Sequence, residues 1–291
     1  MILITGASGK TGSAITRRLN AAGMAVRALV HRAAQAQALQ ATGSAETFVG
    51  DLQSSGDLER ACMGIQAVYH ICPNMHPQEV EIAQNLLAAA AQAGVERLVY
   101  HSVFHPQIAA MPHHWNKMRV EELIFSSGFP YTILQPCAYM QNVLGNWSQI
   151  TSQAIYPVPY SVDARLSIVD LEDVAQVALQ VLVDQGHIGA TYELCGPEAL
   201  TQVEVADCIS RELGRSVRAE AVALPEWEKQ ARKGGLNEYA RQTLIKMFEY
   251  YDRYGLAGNP TVLAWLLKRQ PTSFAEFIHR EWVDRKITLL P

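Results

Sequence analysis

The first twelve residues, MILITGASGKTG, restrict the fold more than any other stretch of this chain. A short apolar run, Met1 to Ile4, meets Thr5, and glycines then recur at Gly6, Gly9 and Gly12. Behind them residues 13–22 carry a helical pattern, with Ala14, Ile15, Leu19 and Ala22 near one face and Gly23 as C-terminal cap. A second apolar strand, 25–30, follows. Strand, glycine turn and helix is the geometry that turns backbone N–H groups toward a pyrophosphate. Gly6 allows the tight exit from the strand, Gly9 lets a diphosphate approach the backbone, and Gly12 lets the helix pack close to the sheet. A turn with three glycines is ordinary by itself. Its place between an apolar strand and an amphipathic helix is what points to a dinucleotide.

The alternation continues. A helix is expected over 33–41, a strand over 47–49, and a helix over 57–63 that Ser54 or Ser55 caps and Gly64 ends. Strand 67–72 stops at Pro73, helix 78–93 closes at Gly94, and strand 97–103 follows. Pro112 opens a helix over 113–127, and strand 131–134 runs up to Pro136. Parallel strands joined by helices define an α/β, Rossmann-type, doubly wound sheet with its ligand at the strand ends. After Pro136 the pattern loosens. Strand 162–169, helix 171–182 and strand 191–194 are expected, then helix 202–213, an extended stretch 217–221 and mainly helix over 225–267. Residues 1–155 are thus read as the dinucleotide-binding domain, with 162–196 returning to its sheet. Residues 197–291 are read as a smaller, mainly helical lobe. Tyr239, Phe248, Tyr250, Tyr251, Tyr254 and Trp265 make that lobe aromatic, which reads as a packed small core, with a substrate-binding wall as the alternative.

Composition removes several classes of function. The formal charge of −4 and the lack of a long basic run leave nucleic acid no electrostatic footprint. The apolar stretch near 86–93 is broken by Gln92 and Gly94 and is too short for a bilayer. A strand beginning at residue 2 leaves no room for a signal peptide. Five scattered cysteines without a Cys-x-x-Cys pair read as reduced, mostly buried thiols of a cytoplasmic protein.

By the fourth strand the residues become more specific. Gly6-Ala7-Ser8-Gly9-Lys10-Thr11-Gly12 resembles the G-x-x-G-x-x-G loop of atypical short-chain dehydrogenase/reductases. Gly50-Asp51-Leu52, Leu58, Ala61, Gly64 and Ala67-Val68-Tyr69 resemble that superfamily's third strand, next helix and fourth strand. Lys117, Glu121-Glu122, the run from Ser126 to Pro136 and Tyr139-Met140-Gln141-Asn142 resemble the NmrA-like branch. Tyr254-Gly255-Leu256 and the run from Arg269 to Phe277 are similar to the tail of its bacterial NADPH-dependent quinone and triphenylmethane-dye reductases. The resemblance spans nearly the whole chain. It implies a reductase, although the branch also holds non-catalytic redox sensors that act through a protein partner. It places Asp51 and Leu52 beside the adenine and Cys72, Pro73 and Asn74 on the nicotinamide side. Ser8, Thr11, Ser102, Lys117 and Pro136 complete the expected cofactor set.

An acid at the end of the second strand would hydrogen-bond the ribose diol of NAD. Here that strand ends in Val30-His31-Arg32, without an acid. His31 falls where the family usually has Arg; with Arg32 and Lys10 it offers cations to a 2′-phosphate. NADP(H) is therefore expected in preference to NAD(H).

The wider superfamily uses Ser, Tyr and Lys, with Tyr four residues before Lys. Ser102 and Lys117 are present, but position 113 is His. Lys117 is expected to bond the nicotinamide ribose and to favour negative charge on a bound oxygen. Its plain alternative is an ion pair with Glu121, one turn on. His113, one turn before Lys117, is the candidate proton donor, as an imidazolium with an ordinary pKa near ~6.5. Without Tyr, an alkoxide product has no obvious acid. A quinone accepting hydride becomes a phenolate-type anion of pKa about 10, and a cationic dye becomes neutral. Acceptors that delocalise their own charge suit such a site. A nucleotide-sugar epimerase is disfavoured, because that chemistry needs the Tyr. Tyr139, Asn142 and Trp147 are the candidate substrate wall, with Trp147 read equally as an anchor of the second lobe. The expected partner is a small-molecule acceptor, with no direct nucleic-acid or membrane contact and a monomer or homodimer as the acting form.

Overall fold

The computed structural model describes residues 1–41 and 46–288. Along the first part run β1 (Ile2–Ile4), α1 (Lys10–Ala21), β2 (Val26–Val30), α2 (Ala33–Ala41), β3 (Glu46–Val49) and α3 (Ser55–Cys62). Then come β4 (Ala67–His70), α4 (Glu79–Gln92), β5 (Arg97–His101), α5 (Pro112–Ser126) and β6 (Tyr131–Pro136). The remainder holds β7 (Ala138–Tyr139), a 3₁₀ segment (Met140–Asn146), α6 (Trp147–Gln153), β8 (Ile155–Val158), β9 (Leu166–Val169) and α7 (Leu171–Val183). It ends with β10 (Ala190–Leu194), β11 (Ala199–Leu200), α8 (Gln202–Leu213), β12 (Arg218–Ala221), α9 (Leu224–Lys233), α10 (Glu238–Tyr254), α11 (Thr261–Leu267) and α12 (Phe274–Thr288).

The chain divides into two compact units. The first takes Met1–Ala109, His113–Gln135 and Val174–Tyr192; the second takes Ala110–Pro112, Pro136–Asp173 and everything from Glu193. The first is built on a seven-stranded sheet, in the order β3-β2-β1-β4-β5-β6-β10. The pairs β1–β2, β2–β3, β1–β4, β4–β5 and β5–β6 are all parallel. The chain moves outward from β1 to β3, then crosses back to β4, so the winding reverses between β1 and β4. That is where a doubly wound sheet opens a crevice at the carboxyl ends of its strands. Helices on both faces explain why β1 and β4 are apolar and buried at every position except the polar His70, itself buried. Leu3, Leu58, Val68 and Tyr100, each with no exposed surface, belong to one core cluster. Each large side chain so buried contributes about 1.5–3 kcal/mol. Ser54 caps α3 by accepting from the amide of Asp57, as its spacing predicts. Arg97 donates to the carbonyls of Val181 (3.1 Å) and Leu182 (3.0 Å) and so fastens the end of α7 to the sheet's unit.

The second unit holds the β11-β9-β7 and β12-β8 sheets. The motif from Arg269 to Phe277 has a structural task there. The buried carboxylate of Asp173 accepts from Arg269 (2.6 Å) and from the amide (2.7 Å) and hydroxyl (3.1 Å) of Thr272. Phe274 and Phe277 then enter the core beside Ile150 and Val205. Asp170, also buried, is held by Arg280 at 2.8 Å. The aromatic region is packed around Phe248, whose ring meets Trp227 at 4.8 Å and Tyr160 at 5.9 Å, while Tyr254 and Trp265 stay exposed. The five cysteines are all free thiols, four of them buried. Among the described residues, no helix is long and apolar enough to cross a membrane.

Candidate cofactor and active site

The expected cofactor residues of the first unit follow the carboxyl ends of β1 to β5. Thr5, directly after β1, ties its loop to β4: its hydroxyl accepts from the Ile71 amide at 2.8 Å and lies 2.9 Å from His70 Nδ1. Gly6 then takes φ +60°, the left-handed conformation that favours glycine. The Gly9 amide donates back to the Gly6 carbonyl at 3.0 Å, which closes the turn. Gly12 lies beneath it, in α1. A methyl group there would overlap the Gly6 carbonyl oxygen and stand 2.7 Å from the Ala7 Cα. No side-chain hydrogen bond from Gly9 caps the N-terminus of α1. A positive φ at Gly6, close backbone contact at Gly12 and a helix N-terminus without a side-chain cap together fit a diphosphate. Ser8, Gly9 and Lys10 are exposed along this rim, and Thr11 is half-buried.

Gly12→Ala is expected to weaken NADPH binding at least ~10-fold and to lower stability by about 1–3 kcal/mol, because the overlap is with backbone. Fluorescence titration and urea unfolding measure the two effects.

His31 and Arg32 stand exposed after β2, with no acid beside them in sequence. The Arg32 amide donates to Gln35, which leaves the guanidinium outside that bond. After β3, Asp51 is held by its own amide donating to Asp57 (2.8 Å) and its carboxylate accepting from Gln53 (2.9 Å), and Leu52 is buried. After β4, Cys72 is buried while Pro73 and Asn74 are exposed. Burial raises the Cys72 thiol far above its ordinary range, so it stays protonated.

The ends of β4 and β5 meet α4 and α5 in a buried polar cluster. Lys117 donates to Glu79 Oε1 at 2.7 Å and to the His101 carbonyl, the last of β5, at 3.0 Å. Its ammonium also lies 5.0 Å from the centre of the Tyr100 ring. The Tyr100 hydroxyl donates to the same Glu79 oxygen at 3.2 Å. Burial, first, and the carboxylate raise the phenol well above its ordinary pKa, so it remains a donor. Ser102 donates to Glu121, and the Gln135 amide donates to both Glu121 oxygens at 2.9 Å. Burial raises the Glu121 pKa despite these bonds. The alternative pairing of Lys117 with Glu121 is therefore not the one formed. Glu79, on another helix, takes the lysine, and Glu121 turns to the serine.

His113 lies on the same stripe of α5 as Lys117. Its Nδ1 is 4.0 Å from Glu79 Oε2, and neither atom has a hydrogen-bond partner. Burial, first, and then the Lys117 charge push its pKa well below 6.5. The ring is neutral at ordinary pH. This corrects the expectation of an imidazolium donor, which needs solvent or a paired carboxylate to hold its charge.

Pro136 is buried, at the start of the second unit. There Tyr139 and Asn142 line a cavity of about 60 Å³, together with Tyr156, Tyr160, Gln202 and Phe274. None of these carries a formal charge at neutral pH. The Tyr156 hydroxyl donates to Gln202 at 3.2 Å, and burial keeps both Tyr156 and Tyr160 protonated. Trp147 does not line the cavity. It packs against that unit's core, its ring 6.1 Å from Trp282.

Sequence reasoning missed Glu79, Tyr100 and Gln135 as parts of the cluster, and met Glu121 only as a partner for Lys117. Glu79 reads as an ordinary acid in a helix's first turn, and only burial sets it apart.

A glycine loop at the switch point of a doubly wound sheet, with a buried lysine at the end of β5, defines a dinucleotide-binding protein of the short-chain dehydrogenase/reductase kind. The NmrA-like family model matches residues 1–278, and the chain belongs to the NmrA-like family. It is 33% identical over 287 residues to an NAD(P)H azoreductase of Xenophilus azovorans, covering 95% of this chain and 96% of that one. It is 34% identical over 227 residues to a (4-alkanoyl-5-oxo-2,5-dihydrofuran-3-yl)methyl phosphate reductase of Streptomyces griseus, covering 77% and 78%. Its fold matches the crystal structure of the Escherichia coli NADPH-dependent quinone oxidoreductase QOR2 complexed with NADPH. The TM-score is 0.84 at 25% identity, over 97% of this chain and 100% of that one.

Proposed function

We propose that this chain transfers hydride from NADPH to a quinone-like or otherwise conjugated small-molecule acceptor. It is an NAD(P)H-dependent reductase of the NmrA-like family. The observation that carries the choice of acceptor is Lys117 held at the end of β5 with a neutral His113, not a tyrosine, one turn before it. This arrangement has a cation but no tyrosine one turn before it to protonate an alkoxide, and the one phenol nearby, Tyr100, is committed to Glu79. It suits an acceptor whose anion spreads its own charge. The azoreductase, the quinone oxidoreductase and the furanone reductase are named for conjugated acceptors, in keeping with this.

When bound, NADPH supplies the hydride. The amides of the glycine loop and of the α1 N-terminus donate to the diphosphate, and His31, Arg32 and Lys10 face the 2′-phosphate. Asp51 and Leu52 flank the adenine, Cys72, Pro73 and Asn74 border the nicotinamide side, and Ser102 completes the contacts of this unit. Lys117 has three N–H donors, and its two bonds leave one for a ribose hydroxyl.

A panel of quinones and azo dyes, with NADPH and NADH compared, tests this reading. Turnover is expected with several conjugated acceptors and none with simple ketones. NADPH is expected to be favoured about 10-fold or more in kcat/KM, the worth of one charge-assisted phosphate contact. Cofactor binding without consumption by any acceptor would overturn it in favour of a redox sensor.

A further inference from the structure

We propose that Glu79 is a positioning residue of the hydride-transfer site, holding the Lys117 ammonium at the end of β5 so that its remaining N–H faces the cofactor. This rests on the reading of Lys117 as the ribose-holding cation. Three contacts converge on the Glu79 carboxylate, which is 1% exposed. Lys117 reaches Oε1 at 2.7 Å, Tyr100 reaches the same oxygen at 3.2 Å, and Oε2 faces His113 Nδ1 at 4.0 Å. The two residues it faces on α5 are one turn apart, so one carboxylate addresses one stripe of that helix. A lysine side chain is flexible and has no preferred direction of its own. Between the His101 carbonyl and Glu79 Oε1 its ammonium is fixed at two of three donors. Glu79 sits in the first turn of α4, where the helix dipole favours a negative charge and makes its burial less costly.

The unpartnered atoms support a working role over a purely structural one. Glu79 Oε2 and His113 Nδ1 are both buried and both without a hydrogen bond. A pair kept only for stability would close that gap, since an unsatisfied buried acceptor is costly. Here the carboxylate is turned to serve the lysine, and the histidine edge is left open.

The test compares Glu79→Gln and Glu79→Ala with the parent enzyme and with Lys117→Met. The readouts are kcat, KM for the acceptor, the primary isotope effect with 4-deuterated NADPH, and NADPH affinity by fluorescence titration. Glu79→Ala is expected to lower kcat ~10–100-fold, as misplacement by about an ångström does. Its isotope effect is expected to rise as hydride transfer becomes limiting, with NADPH affinity reduced no more than a few-fold. Glu79→Gln keeps an oxygen for Lys117 and is expected to fall between parent and Ala. A kcat that falls in all Glu79 variants with an unchanged isotope effect marks lost folded protein and overturns the proposal. So do Glu79 variants with parental kcat while Lys117→Met is slow. If Lys117→Met is itself as fast as the parent, the reading of Lys117 fails first.

Discussion

Lys117→Met is expected to lower kcat/KM by about 10²–10³-fold, the usual loss when one preorganised electrostatic group is removed from an active site. It is also expected to destabilise the fold by about 3–5 kcal/mol, because Glu79 is left as an uncompensated buried charge. The two effects separate in the double variant Lys117→Met/Glu79→Gln. That chain buries no unpaired charge, so most of the lost stability returns, while the rate stays low. Urea unfolding and single-turnover oxidation of NADPH are the measurements. A Lys117→Met enzyme within threefold of the parent rate would falsify the assigned role. A double variant no more stable than Lys117→Met would show that charge burial is not what holds the pair together.

The dinucleotide half of the site was legible because backbone geometry dictates its residues. Gly6 and Gly12 are needed wherever a strand turns this tightly into a helix, and the observed φ and contacts are those reasons made visible. The strands of the parallel sheet were legible for a related cause, since burial on both faces leaves a continuous apolar run. The second unit was harder. Its strands β7 and β11 have two residues each, too few to print a period of two, and α12 begins where the sequence offered a family motif but no clear helical stripe. The chemical cluster was the least legible. Lys117 was visible through its spacing from a missing tyrosine, but its true partner lies 38 residues earlier, on a different helix. Local spacing favoured Glu121, at the i, i+4 position, and the tertiary fold gave that acid to Ser102 and Gln135 instead. Burial likewise decided the state of His113, which no neighbour in sequence could reveal.

The same burial makes the fold acid-labile in a defined window. His70 and His101 are held down to about 3 and His114 to about 4, in each case mainly by burial, and burial and then the Lys117 charge hold His113 well below its ordinary range. In the unfolded chain all four titrate near ~6.5. Their folded pKa values are depressed, so the unfolded chain binds more protons at every pH between those limits. Their contribution is complete above about 6.5 and is lost as pH falls toward about 3–4. Each such group removes about 1.4 kcal/mol per pH unit inside the window. Four together remove roughly 5–6 kcal/mol per unit, so a stability of about 5–15 kcal/mol is exhausted within about one to three units below 6.5. Glu121 acts in the opposite sense, since its raised pKa favours the folded chain as it protonates, but it is one group against four. Urea unfolding from pH 7.5 down to 4.5 is expected to show stability flat near 7.5 and falling steeply below 6.5. His70→Gln is expected to reduce that slope by about 1.4 kcal/mol per unit, because a neutral amide leaves the unfolded chain one proton fewer to gain. A parent slope below that of a single histidine across pH 6 to 5 would mean that these rings take up protons in the folded state, and the neutral state of His113 beside the Lys117–Glu79 pair would have to be redrawn.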